Sequence, residues 1–168
     1  MNSLRHALRQ CSRTRQIHTS ARWNGQHGLF NIISNENPPP VQVRAITPNG
    51  IELHDGLVMT GPCVFLEGEV FLWDTPSKLW EGWTKDHFRI FDVVTPKPEI
   101  LLLGTGTSLS QPPPDIRKYI NGLGIQVDAM DTRNACSYYN LLAEEGRHVA
   151  AALIPLSPKP WTKTFLGQ

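Results

Sequence analysis

Apolar and polar residues alternate in the first organised stretch of the chain, residues 41–46, and this pattern predicts a half-buried strand. The Asn49-Gly50 pair that follows is typical of a tight hairpin turn. Because glycines and prolines separate the next brief apolar runs, further short strands are predicted at residues 51–54, 56–59, 63–66 and 69–73. We therefore expect an antiparallel meander in the amino-terminal half of the domain.

The spacing of apolar residues changes from Thr84 onward. A short helix is predicted over residues 84–94, since the prolines at 96 and 98 prevent its extension. The elements predicted after it are a strand at 100–103, a helix at 112–121, a strand at 125–130, a helix at 133–145 and a strand at 149–154. Asp131 or Thr132 is the expected amino-terminal cap of the helix at 133–145.

The order strand–helix–strand–helix–strand favours right-handed crossovers, which make the first two of these strands parallel. Their apolar runs are typical of strands covered by helices on both faces. We expect the meander to extend or flank the same sheet. The predicted fold is therefore α/β: a single three-layer domain with a mixed central sheet, in which antiparallel strands precede a β-α-β-α-β half.

Composition and charge narrow the functional classes. The chain has 168 residues, 40% of them apolar, which suits one domain with a real core. The net charge of +1 hides an asymmetry, because residues 1–17 contain four arginines and no acid. The remainder has 12 basic and 15 acidic residues, a net charge of −3, so no nucleic-acid partner is expected. No apolar run approaches the 18 residues of a membrane span.

The first 22 residues have the composition of a mitochondrial transit peptide. On a helical wheel, Leu4 and Leu8 lie on one face and Arg5 and Arg9 on the other, and the first acidic residue of the chain is Glu36. We predict cleavage around residues 16–22. The remaining predicted divisions are a linker at 23–40, the α/β domain at 41–156 and a flexible carboxyl-terminal tail at 157–168.

The most suggestive chemistry lies in the loop Gly104-Thr105-Gly106-Thr107, which follows a buried strand and precedes a helix. If the strands at 100–103 and 125–130 are adjacent, this loop would lie at the carboxyl edge of a parallel sheet, near the amino end of the helix that contains Arg133. Anions bind at such a place. The GxGxxG fingerprint is not met, because Leu109 stands where its third glycine belongs. The open alternatives are a loop that binds a ligand or a partner and a tight turn without a ligand.

Other candidate residues do not form a recognised reactive set. Cys136 is either a nucleophile near a helix terminus or a small core residue, and we favour the core. Trp73, Trp80 and Trp83 are either core or an exposed binding patch. The sequence has no CxxC pair and no HExxH motif, so neither a metal site nor a catalytic residue is predicted.

Four segments of the second half carry a resemblance to a known family. They are residues 98–106 (PEILLLGTG), 124–132 (GIQVDAMDT), Ala135-Cys136 with Tyr139-Asn140, and 145–153 (EGRHVAAAL). Together they resemble the small α/β domain of the DUF498 type, a family whose mitochondrial members include the third assembly factor of NADH:ubiquinone oxidoreductase, respiratory complex I. The similarity extends over about residues 41–156.

The resemblance implies a non-catalytic, chaperone-like assembly factor for complex I that needs no cofactor. Its implied partners are another complex I assembly factor and early quinone-module subunits, met through protein–protein contacts. The implied location is the mitochondrial matrix, at the matrix face of the inner membrane through those partners. A small-molecule-binding protein or enzyme that uses the Gly104–Thr107 loop remains the alternative. The domain alone does not dictate the role, because one fold serves many functions.

Overall fold

A computed structural model describes residues 39–159 and residue 161. The predicted transit peptide and all but the last two residues of the predicted linker lie outside the described residues. The same holds for residues 160 and 162–168 of the predicted tail. Among the described residues, no helix is long and apolar enough to cross a bilayer.

The described chain contains eight strands, three α-helices and one short 3-10 helix. The strands are β1 (Val43–Thr47), β2 (Gly50–Leu53), β3 (Val58–Met59), β4 (Cys63–Leu66), β5 (Glu69–Leu72), β6 (Ile100–Thr105), β7 (Gln126–Met130) and β8 (Val149–Ile154). The helices are the 3-10 helix Lys85–Phe88, α1 (Ile90–Val93), α2 (Pro114–Gly122) and α3 (Thr132–Glu144). These elements confirm the predicted mixed α/β fold.

The eight strands form two sheets. The larger has the order β5-β4-β8-β6-β7, with β6 parallel to both neighbours and β4 antiparallel to β8 and β5. The smaller is antiparallel, with the order β1-β2-β3. The predicted meander is therefore split between β3 and β4, where Gly61 and Pro62 interrupt the chain and Pro62 has no N–H to donate to a ladder.

Two cores lie on opposite faces of the five-stranded sheet, because successive strand residues point to opposite sides. Cys63 and Phe65 of β4 pack with α3 and the small sheet. Val64 and Leu66 pack with α2, Phe88 and Phe91 on the other face. Alanines 150–152 of β8 alternate between the two cores, and their small side chains allow close packing from both sides.

Two local predictions differ from the structure. The predicted helix at 84–94 is divided into the 3-10 helix and α1, which place Phe88 and Phe91 side by side in the core. The first hairpin turns at Pro48 and Asn49, with Thr47 paired to Gly50, instead of at Asn49-Gly50. Gly50 is required for a different reason: a Cβ there would lie 2.3 Å from the carbonyl oxygen of Met59 on β3.

Candidate functional site

The loop at Gly104–Thr107 lies where β6 meets the start of α3. Strands β6 and β7 are parallel, as predicted, and the structure shows that they are also adjacent, so the loops that follow them meet. The backbone N–H of Gly106 donates to Thr132 Oγ1 at 2.9 Å, and the N–H of Thr132 donates to the Gly106 carbonyl at 2.9 Å. The Gly106 N–H already donates within this pair of bonds, so it is not available to donate a hydrogen bond to an anion.

Thr132 is the central residue of this junction, and its side chain is fully buried. Besides accepting from Gly106, its hydroxyl donates to the carbonyl of Ile154 at the end of β8, at 2.6 Å. One side chain therefore joins the β6 loop, the start of α3 and the end of β8. The sequence offered only one indication of Thr132, its position as a possible helix cap.

The cap itself is the neighbouring residue, Asp131. Its Oδ1 accepts a hydrogen bond from the N–H of Asn134 at 3.1 Å, which satisfies one of the free donors in the first turn of α3. This carboxylate also supplies the negative charge that a helix amino terminus favours. The arrangement is thus complete within the protein, and it places an acid where a bound anion would lie.

Gly104 has a packing role at this junction. A Cβ at residue 104 would lie 2.9 Å from Thr132 Oγ1 and 2.8 Å from a methyl carbon of Leu153. Gly106 is glycine for another reason, its positive φ of 89°. The two glycines of the loop are therefore explained by the close approach of α3 and by the turn.

A cavity of about 310 Å³ opens beside the loop. Thr105, Gly106 and Thr107 form one wall, and residues 73–77 with Leu79 form another. The end of β8 and Trp161 line the remainder, with Trp161 Nε1 donating to the Pro62 carbonyl at 2.7 Å. Its charged lining residues are Asp74 and Lys159, so the cavity combines apolar walls with single charges of each sign.

Arg133 lies elsewhere. It is exposed in the first turn of α3 and lines a shallow depression with Arg44 and Asn140, and it is not among the residues that line the cavity. The structure therefore brings Thr105, Gly106 and Thr107 together at the cavity, with Gly104 buried behind them and Arg133 on a separate surface.

Asn140 connects α3 to the smaller sheet. Its Oδ1 accepts from the N–H of Val43 at 2.9 Å, while its Nδ2 donates to the Val43 carbonyl at 2.8 Å. The amide thus pairs with β1 as a neighbouring strand would. Nothing in the helical spacing of α3 predicts this contact, since Asn140 and Val43 are 97 residues apart.

Both described cysteines are core residues. Cys63 and Cys136 are buried in the core shared by α3 and the small sheet. Burial, followed by the nearby charge of Asp131, raises the pKa of Cys136 to about 12. Burial raises the pKa of Cys63 as well. Because the thiolate is the nucleophile, neither thiol is poised for reaction at neutral pH.

The tryptophans are divided between core and surface. Trp73 is buried, and its Nε1 donates to the His87 carbonyl at 2.9 Å. Trp80 and Trp83 are half-buried and pack in sequence onto it, with ring centroids 5.0 Å apart between Trp80 and Trp83 and 5.1 Å between Trp83 and Trp73. The cluster covers the core that contains Phe88 and Phe91, at the wall of the cavity.

Comparison with known proteins identifies the family of this domain. The family described as "Protein of unknown function (DUF498/DUF598)" matches residues 43–154, from the start of β1 to the end of β8. The chain belongs to this family. Among DUF498/DUF598 relatives, the mouse protein "NADH dehydrogenase (ubiquinone) 1 alpha subcomplex assembly factor 3" is 32% identical over 143 residues, which cover 85% of this chain and 75% of the mouse protein. The human protein of the same name is 31% identical over 143 residues, covering 85% and 76%.

Solved structures agree with the DUF498/DUF598 assignment. The crystal structure of a Bordetella parapertussis protein is 31% identical, with a TM-score of 0.59, and covers 68% of this chain and 95% of that chain. The solution structure of a Bordetella pertussis protein is 23% identical, with a TM-score of 0.61, and covers 80% and 98%. The second likeness concerns the fold alone.

Among the described residues, no group of three or more His, Cys, Asp or Glu side chains is placed to hold a metal ion. The buried side-chain polar atoms of this part of the chain all have hydrogen-bond partners. The hydrogen bonds at the β6–α3 junction join separate segments of the fold, and the cavity adjoins them.

Proposed function

We propose that this chain is a non-catalytic assembly factor for mitochondrial respiratory complex I. The observation that carries the proposal is the similarity to assembly factor 3 of mouse and human, because it covers 85% of this chain and three quarters or more of each relative. A shared domain alone would not assign a role, but a match of this extent to proteins of one name supports it.

The proposal extends to the stage and place of action. The protein acts in the mitochondrial matrix on the early quinone-module intermediate, together with another assembly factor, and reaches the inner membrane through those partners. The resemblance of the sequence motifs supports the stage, and the arginine-rich first 22 residues support the compartment. Because the contacts are with proteins, the functional surface is an exposed patch of the domain.

The chemistry of the described residues supports a role without catalysis. Catalytic cysteines have lowered pKa values and solvent access, whereas Cys63 and Cys136 are buried with raised pKa values. At the carboxyl edge of the sheet, the hydroxyls of Thr105 and Thr132 bond to backbone groups of the protein. These side chains hold the domain together.

Deletion and rescue in the source organism test the proposed role. Loss of the protein is expected to deplete mature complex I on native gels, together with the intermediate that contains quinone-module subunits. Re-expression of the full chain restores both, while a chain lacking residues 1–22 stays outside mitochondria and does not. Normal complex I in the deletion strain would contradict the proposal.

The cavity beside Thr107 favours a second candidate function, the binding of a small molecule. Its volume of about 310 Å³ lies at the lower end of the usual range for ligand pockets, roughly 300–1,000 Å³. A thermal-shift screen of nucleotides and metabolites would reveal a ligand, and Thr107→Trp would abolish its effect by filling the cavity. The control is Leu109→Trp, at an exposed position that does not line the cavity. A screen without a hit removes this candidate.

A further inference from the structure

Strand β5 forms one edge of the five-stranded sheet, and among the described strands it pairs only with β4. The two strands are joined at Glu67 and Gly68, whose φ values of 49° and 77° match a two-residue turn of the mirror-image type. In such a hairpin, residue pairs that exchange hydrogen bonds alternate with pairs that do not, starting from the turn. Trp73 is at a hydrogen-bonded position, since its N–H donates to the Pro62 carbonyl at 2.9 Å. The backbone groups of Val70 and Leu72 therefore point away from β4.

The other edge strands carry features that discourage pairing. Strand β1 has an irregularity in its register between Val43 and Ala45, and it exposes Arg44 between them. Strand β3 has only two residues, and β7 carries the charge of Asp128. Strand β5 has a continuous register with β4 and contains neither lysine nor proline. Among the described edge strands, β5 thus combines a continuous register with a single charged residue, Glu69, that lies at the turn end of the strand.

Two apolar side chains of β5 are accessible. Leu72 is 63% exposed and Phe71 is 38% exposed, on opposite faces of the strand. Beside Phe71 lies a groove of about 360 Å³ whose floor includes Val64 and Ile90. An added strand would find apolar contacts on both faces of this edge, in addition to the backbone groups of Val70 and Leu72.

The charged residues on β5 and in the lining of its groove are acids. Between Arg44 and Lys78 the sequence contains five acids and no lysine or arginine. Glu69 lies on β5, and Asp74 and Asp86 line the groove next to His87; among the described residues none of these three acids forms an ion pair. At the hairpin, Glu67 lies 3.8 Å from His148 Nδ1. Charges of this sign attract a basic strand and repel acidic segments, nucleic acids and anionic lipids.

We propose that the edge of β5 that points away from β4 binds an extended segment of a partner protein in which apolar residues alternate with lysine or arginine. The segment adds a strand to the sheet through the backbone of Val70 and Leu72, while its basic side chains meet Glu69, Asp74 and Asp86. For its biological partner this inference rests on the proposed assembly function, but strand addition itself is measurable without it.

The direct test uses a synthetic hexapeptide of alternating lysine and valine, titrated into the isotope-labelled full chain and followed by NMR. The amide signals of Val70 and Leu72 are expected to shift and to exchange more slowly with solvent. A peptide with glutamate in place of lysine is the charge control and is expected not to bind. Equal binding of both peptides, or shifts that map to α3 or the cavity instead, would overturn the proposal.

Two variants of Leu72 separate the backbone contribution from the side chain. Leu72→Pro removes the outward N–H without touching a bond to β4, and proline is tolerated on such an edge. Leu72→Lys keeps the N–H but places a repelling charge on the strand. Both are expected to weaken peptide binding about tenfold or more, whereas Leu141→Lys, at an exposed leucine of α3, does not. Unchanged amide signals in β6 and β8 verify that each variant is folded.

Rescue of complex I links the edge to the proposed role. In the deletion strain, wild type and Leu141→Lys are expected to restore complex I, whereas Leu72→Lys is not. If Leu72→Lys also rescues, the edge proposal falls while the assembly role stands. If deletion leaves complex I normal, the assembly role falls and the peptide titration still decides the edge. A wild-type dimer in light scattering that Leu72→Pro converts to a monomer would assign the edge to a second copy and overturn the inference of a separate partner.

Discussion

A single hydroxyl, that of Thr132, joins separate segments of the chain at the carboxyl edge of the sheet. It is fully buried and has partners in both the β6 loop and the end of β8. Buried polar groups that lose their partner retain the cost of desolvation, so the neighbours of Thr132 determine how much its removal costs.

Replacing Thr132 with valine keeps the shape but removes the hydroxyl. The N–H of Gly106 and the carbonyl of Ile154 then lose their partner, and we expect the free energy of unfolding to fall by roughly 2–4 kcal/mol. Thr132→Ser keeps the hydroxyl and loses only a methyl group, at about 1 kcal/mol. Urea denaturation of the two variants measures the difference. Equal losses would show that the hydrogen bonds contribute nothing.

At this scale the sequence predicted the type of residue better than its contacts. Cys136 was favoured as a core residue from the usual behaviour of free cysteines, and it is buried. Asp131 was one of two possible caps and is the one that accepts the N–H of Asn134. The bonds of Thr132 to residues 106 and 154 had no local indication, because they depend on which chain segments the fold brings together.

At the scale of elements, β1 is held to α3 by the amide of Asn140. Asn140→Ala removes both bonds to Val43, at an expected cost of about 1–3 kcal/mol. Hydrogen exchange is expected to accelerate in β1 and β2 more than in β6, since the sheets have separate ladders. Ser137→Ala, one turn earlier on α3, is the control. Uniform acceleration across both sheets would contradict this assignment.

The hairpin between β4 and β5 contains an unfavourable residue. Glu67 has a positive φ of 49°, a conformation that asparagine adopts more readily than glutamate. Glu67→Asn is therefore expected to stabilise the protein by about 0.5 kcal/mol, since its exposed ion pair with His148 contributes little. Glu69→Asn makes the same charge change within β5 and is expected to give no gain. Thermal unfolding of the pair distinguishes turn conformation from charge.

Element prediction succeeded where one periodicity extended over a whole segment. The strand at 149–154 has its predicted bounds, and the helix at 133–145 begins and ends within one residue of α3. Prediction was less successful at residues 84–94, where two short helices share one apolar spacing. Arg89, which separates them, has helical φ and ψ values of −61° and −22°, so the segment changes from a 3-10 helix to an α-helix while Phe88 and Phe91 are both buried.

At the scale of the whole molecule, the two buried thiols cause the free energy of unfolding to decrease at alkaline pH. Cys136 has a pKa of about 12 in the folded protein, whereas an unfolded cysteine ionises at about 8.5. As the pH rises past the unfolded value, the unfolded state releases its proton first. The free energy of unfolding therefore decreases from there until the folded thiol also ionises.

We expect Cys136→Ala to reduce this dependence on pH. Between the two pKa values each thiol contributes a slope of about 1.4 kcal/mol per pH unit, so the variant loses stability less steeply than wild type. Urea denaturation at a series of pH values from neutral to alkaline measures the slopes. Parallel curves for the two proteins would mean that the thiol ionises equally in both states.

The arrangement of strands was the least predictable property. Parallel pairing of β6 and β7 followed from the crossover rule, and the structure has it. The antiparallel contact of β4 with β8 joins segments almost 90 residues apart, and the separation of β1–β3 into their own sheet depends on the break at Gly61 and Pro62. Both features depend on which of several possible strands pair with each other, and composition and periodicity do not identify the partners.

The last described strand, β8, occupies the middle of the larger sheet, between β4 and β6. A polypeptide that emerges amino end first, from a ribosome or through a narrow pore, thus exposes the central strand β8 after the other four strands of this sheet. Until residue 154 arrives, the β4–β5 ribbon and the β6–β7 pair have no common neighbour to unite them. A chain halted before Val149 would consist of two unjoined halves, so the sheet closes only when β8 is available.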